Sequence, residues 1–148
     1  MEYYSLLLKA HSGWRYVVLL TLILAIVTSF AGWFGKKHYT PGNRKINLFA
    51  LIGAHIQFLL GLILFFISPY VKAGEMSVAM KDATLRYWTV EHTSMMLIAI
   101  VLITIGHSKS KKLLDGVARH RIAAIFYTLA LIIIIAAVTM INDRPAWR

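Results

Sequence analysis

The chain has 148 residues, of which 59% are hydrophobic, with a mean hydropathy of +0.68 and a formal net charge of +10. That apolar excess excludes an ordinary soluble domain, and the length suits one domain, 1–148, with no segment outside the apolar runs long enough to fold separately. The absence of cysteine excludes disulfides and thiolate metal centres.

The first apolar run, Trp14 to Phe34, is interrupted only by Arg15 and a few hydroxyls. It is longer than a signal core and has no small-x-small cleavage site, so it reads as a membrane span rather than a secretory signal. Gly35 ends it, and Tyr39-Thr40-Pro41-Gly42-Asn43 reads as a turn cluster. The second run, Ile46 to Ile67, is 22 residues long; His55, Asn47 and Gln57 are its strongly polar members, and Ser68-Pro69 stops it. The third, Thr93 to Ile105, is short but extends backward through Asp82–His92 as helix, free of proline and glycine, and Gly106 weakens its end. Gly116 precedes the fourth, Ile122 to Ile141, whose polar members are Thr128 and Thr139, with Pro145 beyond it. Trp14, Trp33, Trp88 and Trp147 fall near helix ends, as an aromatic belt requires. Thr21, Ala25, Thr28 and Gly32 read as a small-residue packing seam. Short connections make successive helices antiparallel neighbours, so the expected fold is all-α, a transmembrane up-down four-helix bundle.

Charge sets the expected orientation. Lys36, Lys37, Arg44 and Lys45 occupy the first connection, and Lys109, Lys111, Lys112, Arg119 and Arg121 the third, where Asp115 is the only acid. The middle connection, Tyr70 to Asp82, balances Lys72 and Lys81 with Glu75 and Asp82. Positive loops stay cytoplasmic, which places both termini on the non-cytoplasmic side and the basic loops against anionic lipid. No recognition motif accompanies the charge, so nucleic acid is not the expected partner. No HExxH, phosphate-binding glycine loop or Ser-His-Asp arrangement is present, and no broken helix marks a transporter pathway.

Histidines within such spans are where function is expected. From the cytoplasmic ends, His55 lies about 15 Å deep, His92 about 22 Å, Arg15 about 30 Å and His11 about 36 Å at the helical rise. His55 and His92 form an interior pair suited to bis-histidine ligation of a non-covalent b-type haem, or of a metal. Hydrogen-bonded structural histidines and a proton relay are the other readings. Gly53 and Gly61 would let a flat ring approach, with Met95, Met96 and Ala99 nearby; ordinary helix packing explains the same residues. His11, Trp14 and Arg15 share one face. Arg15 needs Glu91, a haem propionate or the interface as its partner. His11 is an alternative axial ligand opposite His92, a propionate donor, or part of a quinone access path. His107 and His120 are expected to face each other at the cytoplasmic rim, with His38 in a loop. Tyr127, at the depth of His55, is expected to bond a cofactor, the imidazole or another buried partner.

The segments Leu8-Lys9-Ala10-His11-Ser12-Gly13-Trp14-Arg15, Ala54-His55-Ile56-Gln57 and Val90-Glu91-His92 resemble those of small four-helix bacterial membrane proteins labelled cytochrome b or cytochrome b-like. The likeness spans most of the chain, and its motifs are short. It implies a haem-binding, electron-transferring protein of the bacterial inner membrane, with His11, His55 and His92 as matching positions. Quinone or a redox protein would be its partner, in a homo-oligomer or a larger membrane complex. A weaker likeness to haem-dependent membrane oxidases of porphyrin metabolism rests on the early histidine; the chain departs from their tryptophan, arginine and lysine pattern. A cofactor-free accessory subunit is the competing reading from the residues alone.

Overall fold

Every regular element in the computed structural model, which describes residues 2–140, is helical. Ile141, Pro145 and Trp147, expected at or beyond the end of the fourth span, lie outside the described residues. The elements are α1 (Glu2–Phe34), α2 (Pro41–Ile67), α3 (Met76–Ala79), α4 (Ala83–Arg86), a π-helical turn (Tyr87–Glu91), α5 (His92–Lys112) and α6 (Gly116–Thr139). Four helical stretches are long and apolar enough to cross a membrane: α1, α2, the continuous Ala83–Lys112 and α6.

Local chemistry sets the helix ends. Thr40, expected within a turn cluster, is instead the N-cap of α2, and its hydroxyl and the Asn43 side chain form a reciprocal capping box. Pro41 then occupies the first helical turn, where it has no N–H to lose and its φ is already helical. Ser68 ends α2 in an extended conformation, as the following proline demands. Asp115 caps α6 by accepting from the Ala118 N–H at 3.0 Å. Gly106 does not weaken the end of α5, which continues to Lys112. It lies instead at the contact with α6, where an added Cβ would fall 2.5 Å from that of Phe126.

The outward faces are apolar on all four long helices: Leu20 is 67% exposed, Leu59 57%, Ile98 52% and Ile132 58%. In water such a belt would cost stability and solubility; in hydrocarbon it costs neither. The inward faces are small. Ala25, Ala50, Ala54, Ala99, Ala123 and Ala130 are buried around Leu22, Ile103 and Tyr127. Without a hydrophobic drive between helices in lipid, such residues let backbones approach and gain dispersion contact.

Helix α1 packs on α2 and α6, and α5 on α6 and α2. The registers run in opposite senses. His11 meets Gln57 while Trp14 donates to Gly53 O at 2.9 Å, and Gly106 meets Phe126 while Ser110 bonds Arg119 O at 3.0 Å. The Tyr127 hydroxyl does not reach an imidazole. It crosses the core to donate to Asn47 O at 2.9 Å. Tyr127→Phe is therefore expected to lower the unfolding free energy by about 1 kcal/mol, read by denaturant titration in detergent.

Candidate functional site

The predicted residues separate into two places. His55 is exposed, and its Nδ1 lies 2.8 Å from Leu51 O one turn back on its own helix. A carbonyl only accepts, so Nδ1 carries the proton and Nε2 is a bare lone pair. The ring lines an apolar groove of about 240 Å³ with Phe58, Leu97, Ile100, Val101 and Thr104. Its α5 neighbours lie five or more residues beyond His92, so the groove places His55 deeper along α5 than His92 by about 7 Å or more.

His11 and His92, by contrast, lie within electrostatic range of each other. Both are half-buried. The His11 ring rests on Gly61, where an added Cβ would fall 3.1 Å from its Cε1. Gln57 Nε2 donates to His11 O at 2.9 Å and stands 3.4 Å from the ring Nε2. Gly53 and Gly61 of α2 thus serve contacts with α1: Gly61 faces His11, and Gly53 faces Thr21 and Val18.

His92 sits where the helix changes pitch. Its backbone N–H reaches back to Tyr87 O across five residues, closing the π-helical turn. Such a turn adds a residue and rotates the following side chains by about 100°; it is found often at functional sites. The Tyr87 and Trp88 rings lie 5.6 Å and 5.3 Å from that of His92. The Tyr87 hydroxyl donates its single proton to Ala137 O on α6 and stands 3.3 Å from His92 Nδ1. With that proton committed, the oxygen can only accept, so Nδ1 carries the imidazole proton and Nε2 offers a lone pair. A second residue that fixes the tautomer in this way is characteristic of metal-ligating histidines.

The surrounding polar atoms are unfilled. His11 Nδ1, Arg15 Nε, Gln57 Oε1 and Trp88 Nε1 are buried without a hydrogen-bond partner. The expected Arg15–Glu91 pair does not form, because Glu91 is engaged by Arg86 Nε at 2.8 Å, five residues away on the same helical stretch. Arg15 instead lies over the Tyr16 ring, 5.2 Å from its centroid. Among the described residues no group of three or more His, Cys, Asp or Glu side chains is arranged to hold a metal ion. A bare ion held by side chains alone therefore lacks its donors, whereas haem iron brings four ring nitrogens and asks one or two of the protein. No protein-family model, curated protein or solved structure matches the chain.

At the other end, His107 and His120 are both buried rather than solvated. No contact between them is seen among the described residues. His120 packs on Gly32 and the Tyr39 ring, while His107 lies in electrostatic range of Arg44 and Lys111. Sequence reasoning missed Tyr87 and Trp88. Their position just before His92 was visible, but the π-helical turn that aims them has no residue signature.

Proposed function

We propose that this chain is a b-type cytochrome-like electron-transfer protein, an up-down transmembrane bundle with both termini on the non-cytoplasmic side. The observation that carries this reading is the His92 tautomer, set by Tyr87 so that Nε2 is free to ligate, with His11 in electrostatic range on a separate helix. The donor set fits a haem: His92 Nε2 would hold iron, His11 would be a further ligand or a propionate donor, and Arg15 Nε and Trp88 Nε1 would meet the carboxylates. Haem b, when bound, supplies one-electron chemistry at iron. The residues of the chain hold and orient it, and the apolar helices exclude water from it. Quinol or a redox protein is the proposed electron partner, in a homo-oligomer or a larger complex of the bacterial inner membrane.

The protein, produced with adequate haem and purified in mild detergent, should show a sharp α-band on dithionite reduction. A colourless, fully folded preparation would overturn the reading in favour of a cofactor-free accessory subunit. With His11 as a ligand, His11→Ala should abolish the low-spin signal while His55→Ala retains it. The reverse result would restore the His55–His92 pair and require α2 to turn its exposed histidine inward.

A further inference from the structure

The opposite end of the bundle holds a second polar site, and its chemistry does not depend on haem. Helix α1 stops where Lys36 adopts φ 48°, in the left-handed region that favours glycine, and the Lys37 N–H closes on Gly32 O at 2.9 Å. The chain then turns into the Thr40 cap of α2. Between these segments lies a cavity of about 320 Å³, lined by Thr28, Gly32, Lys37, Thr40, Asn43 and His120.

His120 defines what the cavity can take. It is 1% exposed, and its ring lies on Gly32 so closely that an added Cβ would be 2.4 Å from Nδ1. Its Nε2 stands 3.2 Å from His38 O, which can only accept, so Nε2 carries the proton. Nδ1 is left as a lone pair, buried and without a partner. A buried acceptor with no donor is destabilising, so the site calls for a hydroxyl or other donor. No wall group donates to Nδ1: Thr40 Oγ1 donates to Asn43 Oδ1, Thr28 Oγ1 bonds Leu24 O at 2.9 Å, and neither Asn43 Nδ2 nor the Lys37 ammonium reaches it. Lys37 has no ion pair among the described residues, and the first connection contains Lys36, Arg44 and Lys45 without any acid. The ligand must therefore combine an anion with a hydroxyl.

We propose that this cavity binds a hydroxyl-bearing phosphate, its hydroxyl donating to His120 Nδ1 and its phosphate oxygens meeting the Lys37 ammonium. The glycerol phosphodiester headgroup of an anionic lipid and a soluble glycerol phosphate share that chemistry.

The test is binding of short-chain phosphatidylglycerol to the detergent-purified protein, with phosphatidylmethanol of equal charge but no hydroxyl as comparison. Phosphatidylglycerol should bind saturably, about tenfold more tightly than phosphatidylmethanol. Lys37→Glu should weaken it by about tenfold or more, while Lys45→Glu, outside the cavity, should change it within about twofold because exposed charge is screened. The His120 Nδ1 nitrogen resonance should shift on saturation. Competition by glycerol phosphate at equal affinity identifies a soluble ligand; binding of the lipid alone identifies a headgroup. Equal affinity for the two lipids, an unmoved Nδ1 resonance, or no saturable binding each overturns the proposal.

Discussion

His92→Ala is expected to abolish the low-spin haem spectrum, and Tyr87→Phe to preserve it with weakened affinity and a raised midpoint potential. The alanine variant removes the one imidazole in the half-buried outer cluster whose free nitrogen is set by its surroundings. It should not unfold the chain, since alanine favours helix and the Tyr87 bond to Ala137 O does not involve the imidazole. Tyr87→Phe tests the second residue. With the phenol oxygen gone, His92 Nδ1–H has no acceptor, the imidazole is a poorer electron donor, and the tautomer is no longer fixed. Loss of such a supporting partner costs roughly 10–100-fold in affinity for the metal group. Haem titration and redox potentiometry read both effects. Unchanged affinity and potential in Tyr87→Phe would show that the phenol does not act on a ligand at all.

The four spans were legible because length and hydropathy alone define them, and the helices are longer than the apolar runs where they continue past them, as in residues 2–13 and 106–112. Thr40 and Asp115 cap α2 and α6, yet Thr40 and Pro41 were read as a turn, because proline's tolerance at a first helical turn competes with its turn preference. Depth along the axis was only partly legible: rise per residue is fixed, but the helix ends taken as one level are not level, so Trp14 meets Gly53 and His11 meets Gln57 despite their different expected depths. The direction in which each side chain faces was not legible. In a soluble helix the polar face identifies the outside, but these helices are apolar on both core and lipid sides, so nothing in the run around His55 marks its face as outward. For His92 the difficulty was compounded by the π-helical turn, which shifts every later residue of α5 around the axis. Arg15 illustrates the remaining gap. Glu91 was one candidate partner in the sequence, but Arg86 lies on the same helical stretch and engages it.

Two glycines of α1 are expected to respond oppositely to alanine. At Gly13 an added Cβ meets nothing within 4 Å, so Gly13→Ala should raise the unfolding free energy by roughly 0.5–1 kcal/mol, the ordinary cost of glycine within a helix. At Gly32 the same atom would lie 2.4 Å from three atoms of the His120 ring. The ring cannot retreat cheaply, because it is fully buried, packed on Tyr39 at 5.1 Å and bonded to His38 O. Either the ring leaves and that bond is lost, or α1 and α6 separate along a seam of buried alanines. Overpacking of this kind costs about 1–3 kcal/mol, which outweighs the gain in helix propensity. The two positions also separate stability from the proposed chemistry. Gly32 lies about 30 Å along α1 from His11, so Gly32→Ala should lower the thermal midpoint in detergent while leaving any haem spectrum in place. If the spectrum were lost together with packing at Gly32, the two ends of the bundle would have to fold as one unit, and the outer site would owe its geometry to the His120 contact as much as to Tyr87.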